Sequence, residues 1–207
     1  MDALIRFLRA NPWARRGLSA LSGILLVSAV GVLGYPVYTN LYRDRVQSRL
    51  DREIASPELK EAYQARTLAD GDPLTRIKIP AIGVDTVVVE GTSASALKAG
   101  AGHYPDTPLP CENGNVAIAG HRTTYGKPFS ELDKLKTGDV IILETPVGSC
   151  TYEISIGPKV IAPTDFSVVA NRLDQKLLTL TTCHPRGSAA QRLYVQAVLT
   201  KGTGASA

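Results

Sequence analysis

The chain has 207 residues, 44% of them hydrophobic, enough for one cored domain with appendages and too apolar for an extended disordered protein. Its net charge of +4 is lopsided, because Arg6, Arg9, Arg15 and Arg16 against Asp2 supply +3 of it within the first sixteen residues. A nearly neutral remainder argues against a nucleic-acid partner and for a basic segment flanking a membrane.

No charged residue occurs from Gly17 to Tyr42, and Leu18 to Val37 reads LSALSGILLVSAVGVLGYPV. That is about the 20 residues a helix needs to cross a bilayer. Residues 18–38 are therefore expected to be a transmembrane anchor. The basic residues 1–17 are expected in the cytoplasm, and everything after Arg43 outside the cell membrane. A buried core helix and a cleaved signal peptide, cut among the small residues Ser28 to Gly31, are the alternatives. The apolar run continues through Leu33 to Tyr38, which favours the uncleaved single-pass anchor.

Residues 39–73 then read as a juxtamembrane helical stalk or flexible spacer, since Arg43 to Asp70 mixes both charge signs and its apolar residues are sparse. Ser56 is placed to cap a helix that starts at Pro57, and Gly71, Asp72 and Pro73 mark the entry to the folded domain. In residues 74–201 the expected strands are Leu74–Ile79, Val84–Glu90, Asn115–Gly120, Asp139–Thr145, Thr151–Ala162, Lys176–Thr182 and Gln191–Thr200. Short helices are expected near Ala94–Ala99 and Ser130–Leu135. Many short strands with few helices indicate an all-β barrel or sandwich of about 130 residues. The tail, residues 202–207, is expected to be disordered.

The chemistry concentrates in LLTLTTCHPRGSAAQR, from Leu177 to Arg192. Two strands joined through Pro185 and Gly187 would bring Cys183 and Arg192 to the same end of the pair. Alternation puts Thr179, Thr181 and Cys183 on one face of the first strand. It puts Leu193, Val195, Ala197 and Leu199 on one face of the second, with Arg192, Tyr194 and Gln196 on the other. Nearby positive charge favours the thiolate, the nucleophilic form, over a thiol of ordinary pKa about 8.5. The same guanidinium could hold an oxyanion.

A base must come from elsewhere, because His184 points away from Cys183 in an extended chain. His121 follows an apolar strand in NVAIAGHRTTYG and is the candidate, while His103 in GHYP reads as loop-like. Each choice has a plainer counterpart. Cys183 could be a small buried hydrophobe, Arg192 could pair with Glu153, and His103 and His184 could be structural or surface residues. Tyr125 could line a substrate groove or simply pack. Cys111 and Cys150 remain near strand ends, either bridged or as two free thiols. No cofactor is implied, and Cys111, Cys150 and Cys183 lack the close spacing of metal ligands.

TLTTC, an Arg nine residues beyond the Cys, and the upstream AGHRTTYGKPFSELDKLKTGD together closely resemble the sortases, the surface cysteine transpeptidases of Gram-positive bacteria. The resemblance covers Leu74 to Lys201 and implies an eight-stranded sortase β-barrel. It also implies a catalytic His at His121, the nucleophile at Cys183 and an oxyanion-side Arg at Arg192. GHYPDTPLP with TTCHP looks most like class E housekeeping sortases, which prefer an LAXTG-type signal. Pilin-polymerising class C sortases usually carry an Asp-Pro-aromatic lid, whereas Asp72-Pro73 here is followed by Leu74, so the resemblance implies an unblocked cleft.

Such an enzyme would cleave an LAXTG or LPXTG signal between Thr and Gly through a thioester. It would pass the protein to a cell-wall precursor amine of the lipid II type. Thr182, Tyr125 and the backbone N–H of His184 are candidate substrate or oxyanion contacts. Some sortases bind calcium, but no acidic cluster here suggests a site. An L,D-transpeptidase-like cell-wall enzyme fits less well, because its usual His-Gly-Cys-Arg style motif differs from TTCHPRG. A tethered barrel that only binds remains the non-catalytic alternative.

Overall fold

A computed structural model describes residues 6, 7 and 10–203. The expected cytoplasmic segment and tail therefore fall partly outside the described residues. The chain divides into two compact units, residues 1–39 and 40–207.

Helix α1 spans Pro12–Glu53. Within it lies an 18-residue window of mean hydropathy 2.0, none of it buried, which makes α1 a candidate membrane span. Pro36 sits inside the helix without ending it, and the Thr39 hydroxyl donates to the Pro36 carbonyl at 3.0 Å. A proline ring cannot supply its own N–H to the ladder, and side-chain hydroxyls are one way such a region is re-satisfied.

From Asn40 onward the second unit begins, and here the spacer alternative is corrected: the segment is helical and docked. Val46, Leu50 and Ile54, four residues apart, form one stripe that packs with Val87, Val89, Ala96 and Ala99. Gln47 beside that stripe is 7% exposed. Its Nε2 donates to the carbonyls of Val87 and Ala99, and its Oε1 accepts from the Val87 N–H and the Thr86 hydroxyl. Helix α2, Pro57–Ala65, starts as expected, with Ser56 Oγ accepting from the Leu59 N–H at 3.2 Å. It buries Leu59 and Tyr63.

The domain itself is a closed barrel of eight strands, β1 Pro73–Ile79, β2 Val84–Glu90, β3 Ala101–His103, β4 Gly114–Gly120, β5 Val140–Thr145, β6 Gly148–Ile161, β7 Lys176–His184 and β8 Gln191–Thr203. Their order around the barrel is β1-β2-β3-β4-β7-β8-β6-β5. The β2–β3 and β4–β7 pairs are parallel and the other neighbours antiparallel. Helix α3, Ala94–Ala99, capped by Ser93, lies in the connection between the parallel strands β2 and β3.

Three expectations change. Strand β3 is too short and small-sided, Ala-Gly-His, to stand out by pattern. The helix expected near Ser130–Leu135 is a single 3-10 turn, Leu132–Lys134. Strand β8 runs to Thr203, so Gly202 and Thr203 of the expected tail are paired to β6.

Alternation sorts the core as anticipated. Leu178, Leu180, Val195 and Ala197 have no exposed surface and meet Ile77, Val116 and Ile118 inside the barrel. Cys111 and Cys150 are bridged, with Cα atoms 5.6 Å apart and a sequence separation of 39.

Candidate active site

Strands β4 and β7 run parallel in constant register, from Gly114 opposite Lys176 to Ala119 opposite Thr181. The same offset carried two residues further sets His121 opposite Cys183. On the other side, β7 and β8 are antiparallel and pair Cys183 directly with Arg192. Residues opposite one another on neighbouring strands share a face, and neighbouring strands lie about 4.8 Å apart. Thiol and guanidinium residues thus share a row of β7 and β8, and the imidazole residue follows directly on the end of β4, the other neighbour of β7.

On β4, Val116 and Ile118 point into the core, so Ala117, Ala119 and His121 take the outer face. With Thr181, Ala117 and Ala119 form a lane of small side chains leading to Cys183, covered along most of its length, since Ala117 and Thr181 are 0% and 4% exposed. The Tyr104 hydroxyl meets Thr181 Oγ1 at 3.2 Å. The far end of the lane is closed by the 3-10 turn Ser167–Val169. Asn115 Nδ2 donates there to the carbonyls of Val168 and Ala170 at 2.8 and 3.1 Å, and the Thr179 hydroxyl reaches the Val168 carbonyl at 3.1 Å.

His121 is half-buried, and burial pushes its imidazole below the ordinary histidine pKa. Neither ring nitrogen has a hydrogen-bond partner among the described residues, and the ring stands 5.4 Å from that of Tyr125. The backbone beneath is fixed from two directions. The Phe129 N–H donates to the His121 carbonyl at 3.2 Å, and a Cβ on Gly120 would come within 2.5 Å of the Phe129 ring, so only glycine fits. Cys183 is a free thiol, partly exposed.

Arg192 lies opposite Cys183 by backbone register, but Nη1 donates to the carbonyls of Ala189 and Gln191 at 2.9 and 3.1 Å. These bonds hold one end of the guanidinium on the β7–β8 connection. Glu153, weighed as its carboxylate partner, stands opposite Val198 instead.

The candidate contact Thr182 is corrected. It alternates to the inner face, is 3% exposed, and spends its hydroxyl on the Gly120 carbonyl at 2.7 Å. Thr182 ties β7 to β4 beneath the site and does not line the lane. His103 is not in a loop but ends β3, with no exposed surface. Its Nδ1 lies 2.9 Å from Glu90, and its Nε2 lies 2.9 Å from both the Pro108 carbonyl and the Thr107 hydroxyl. The carbonyl can only accept, so Nε2 carries a proton. His103 is a structural residue.

Sequence reasoning passed over Arg122, which is 5% exposed and acts as a clamp. Its Nη2 lies 2.9 Å from Asp133. Its Nη1 donates to His184 Nδ1 at 2.8 Å and reaches the Cys183 carbonyl at 3.4 Å. The His184 ring is thereby committed to Arg122. Burial works to raise the Asp133 pKa, but its own backbone N–H and the charges of Arg122 and Arg186 hold it below the usual carboxylate range. The available signal was position: directly after an outward His121, Arg122 turns inward at the barrel end and needs a carboxylate there. Among the described residues no group of three or more His, Cys, Asp or Glu is placed to hold a metal ion.

The sortase domain family matches residues 77–200 of this chain. The chain belongs to the sortase family. It is 38% identical over 149 residues to sortase D of Bacillus subtilis, a match covering 68% of this chain and 73% of that protein. Among solved structures, a sortase D5 transpeptidase of Clostridium perfringens superposes with a TM-score of 0.67 at 33% identity, covering 77% of this chain and 99% of that one. Sortase E of Streptomyces avermitilis gives 0.59 at 36% identity, covering 66% and 93%. The chain is accordingly a cysteine transpeptidase, built on the eight-stranded barrel the resemblance implied. Sortases of types A, C, D, E and F all stand among its relatives, so the match fixes the family and not the subclass.

Proposed function

We propose that this sortase cleaves an LAXTG- or LPXTG-type sorting signal between Thr and Gly and transfers the protein to the amine of a lipid II-type cell-wall precursor, with Cys183, His121 and Arg192 as its working groups. The observation that carries the reading is the meeting of these three residues at one end of the barrel, where Cys183 of β7 pairs with Arg192 of β8 and His121 follows β4, the strand on the other side of β7.

The Cys183 thiolate attacks the threonine carbonyl carbon, giving a tetrahedral oxyanion. As the carbon–nitrogen bond breaks, the leaving glycine amine takes a proton from the His121 imidazolium, and a thioester remains. Neutral His121 then takes a proton from the incoming amine. That amine attacks the thioester, and the thiolate departs as the new amide forms. Burial that disfavours the imidazolium also makes it a stronger proton donor once formed, at the cost of a smaller population. Arg192 supplies a planar fork to the oxyanion or the signal backbone.

The apolar part of α1 would anchor the enzyme in the cell membrane with the N-terminus inside and the barrel outside. The lidless class E reading rests on Leu74 following Asp72-Pro73. A class C-like pilin polymerase, an L,D-transpeptidase-like enzyme and a binding-only barrel are the rivals.

The deciding experiment incubates the full chain in detergent micelles with LAXTG and LPXTG peptides and an amine nucleophile. Mass spectrometry should find cleavage between Thr and Gly, an amine adduct, and a trapped thioester on Cys183. All three should vanish in Cys183→Ala, and absence of cleavage of either peptide by the unaltered enzyme would defeat the reading.

A further inference from the structure

The loop that follows His121 is held in an unusual backbone conformation. Tyr125, Gly126 and Lys127 have φ of 49°, 72° and 40°, three consecutive residues in the left-handed region. Glycine enters that region freely, but side-chain-bearing residues such as Tyr125 and Lys127 do so at a cost and stay only when their surroundings hold them. Within the loop, the Lys127 N–H donates to the Thr124 carbonyl at 2.8 Å. The Ser130 N–H donates to the Lys127 carbonyl at 3.0 Å, and further restraints come from the start of the second unit, the last turns of α1.

Asn40 Oδ1 accepts from the Gly126 N–H at 3.2 Å. The Tyr42 ring stands edge-on to the Tyr125 ring, with centroids 6.3 Å apart and planes at 78°. Arg43 lies directly on Gly126, where a Cβ would come within 2.8 Å of its Cδ, and its Nη2 donates to the Thr86 hydroxyl of β2 at 2.9 Å. One turn later Gln47 and Leu50 fasten the helix to β2 and α3. A continuous path of contacts therefore runs from β2 through α1 to Tyr125, whose ring is the recorded neighbour of the His121 ring. His121 lacks the second hydrogen-bonding group that usually orients a catalytic imidazole, so packing must do that work.

We propose that residues 40–43 of α1 are a positioning element of the active site, holding the His121 ring in register with Cys183 through the Tyr125–Lys127 turn. Asn40 and Tyr42 touch no reacting atom in this scheme and act through Tyr125. The inference rests on the sortase reading for its kinetic part, while its structural part stands on contacts alone. An enzyme beginning at residue 44 would keep its barrel and its thiol but lose the support of its imidazole.

The test uses the full chain in detergent micelles with isotope-labelled histidine, the His121 ring signals being identified by their absence in His121→Gln. Tyr42 is 40% exposed and Asn40 is also exposed, so their replacement does not open the core. Tyr42→Ala and Asn40→Leu should each shift the His121 ring signals and lower kcat for peptide cleavage about tenfold, with KM within about twofold. Tyr42→Phe keeps the ring and Asn40→Asp keeps the acceptor oxygen, so both should stay near the parent in signals and in rate. Unmoved ring signals in Tyr42→Ala and Asn40→Leu would overturn the proposal whatever the rate does. So would shifted signals with an unchanged kcat. If the parent chain cleaves neither peptide, the sortase reading fails by itself, and the ring signals still decide whether α1 positions His121.

Discussion

His103 and His121 each follow a glycine and stand at the end of a barrel strand, yet their surroundings are opposite. Around His103 every polar group is spent: both ring nitrogens are engaged by Glu90, Pro108 and Thr107, and nothing of the side chain reaches solvent. The adjoining segment is closed by the Cys111–Cys150 bridge and by the Cys111 N–H donating to the Tyr152 hydroxyl at 3.1 Å. Around His121 the ring is half-buried and its nitrogens have no partner among the described residues, beside a partly exposed free thiol and a turn in left-handed conformation. A satisfied network gives rigidity, whereas unspent donors and acceptors are what a bound reactant needs.

That contrast can be broken by swapping what is removed. His121→Gln deletes a proton carrier from a site where nothing depends on its hydrogen bonds. The transfer rate should fall by about 10²–10⁴-fold while the melting temperature moves by no more than about 2 °C, read from peptide turnover and thermal unfolding on the same sample. A parallel collapse in stability would mean that His121 is structural after all.

On the closed side the signs reverse. Opening the bridge with Cys111→Ser and Cys150→Ser together frees a loop closed across a sequence separation of 39. It should cost about 3–4 kcal/mol in the chain-entropy description, measured by denaturant unfolding, with the specific rate of folded enzyme retained. Smaller again, His103→Gln leaves Glu90 facing a poorly matched amide in a buried setting and should cost about 1–3 kcal/mol without altering the pH dependence of turnover. If His103→Gln instead removed activity from fully folded protein, the separation of the two regions would be false.

The two regions also differ in how far they could be read beforehand. The hairpin of β7 and β8 was legible because alternation and two strand ends were enough to bring Cys183 and Arg192 together. The neighbour relation of β4 and β7 was not, since a parallel pair is joined across a long connection and its register is set by the closed barrel. Its place after an apolar strand made His121 a candidate, and the family resemblance gave it the catalytic role, before that register was known. Strand β3 escaped because three small residues carry no period. The docked stretch of α1 escaped because Val46, Leu50 and Ile54 look sparse by composition, although at a spacing of four they form one face. Gln47 reads as a surface residue until its carboxamide is found satisfying Val87 and Ala99. Arg122 shows the same limit, because a buried cation declares itself only once Asp133 is seen beside it.

The smallest expected effect lies in pH, where His121 and stability are linked. Burial holds its pKa in the folded enzyme below the ordinary 6.5. Between that depressed value and 6.5 the unfolded chain binds a proton that the folded chain does not, so stability rises with pH through this window. On acidification the contribution is lost, until both states are protonated below the folded-state value. His121→Gln cannot take part, so its melting temperature should fall less than the parent's between about pH 7.5 and about pH 5.5. The same depression shrinks the imidazolium population available near neutral pH to protonate the leaving amine. A melting temperature that fell more in His121→Gln than in the parent would mean that something stabilises the imidazolium in the folded enzyme, and Cys183, at the end of the neighbouring strand β7, would be the group to examine first.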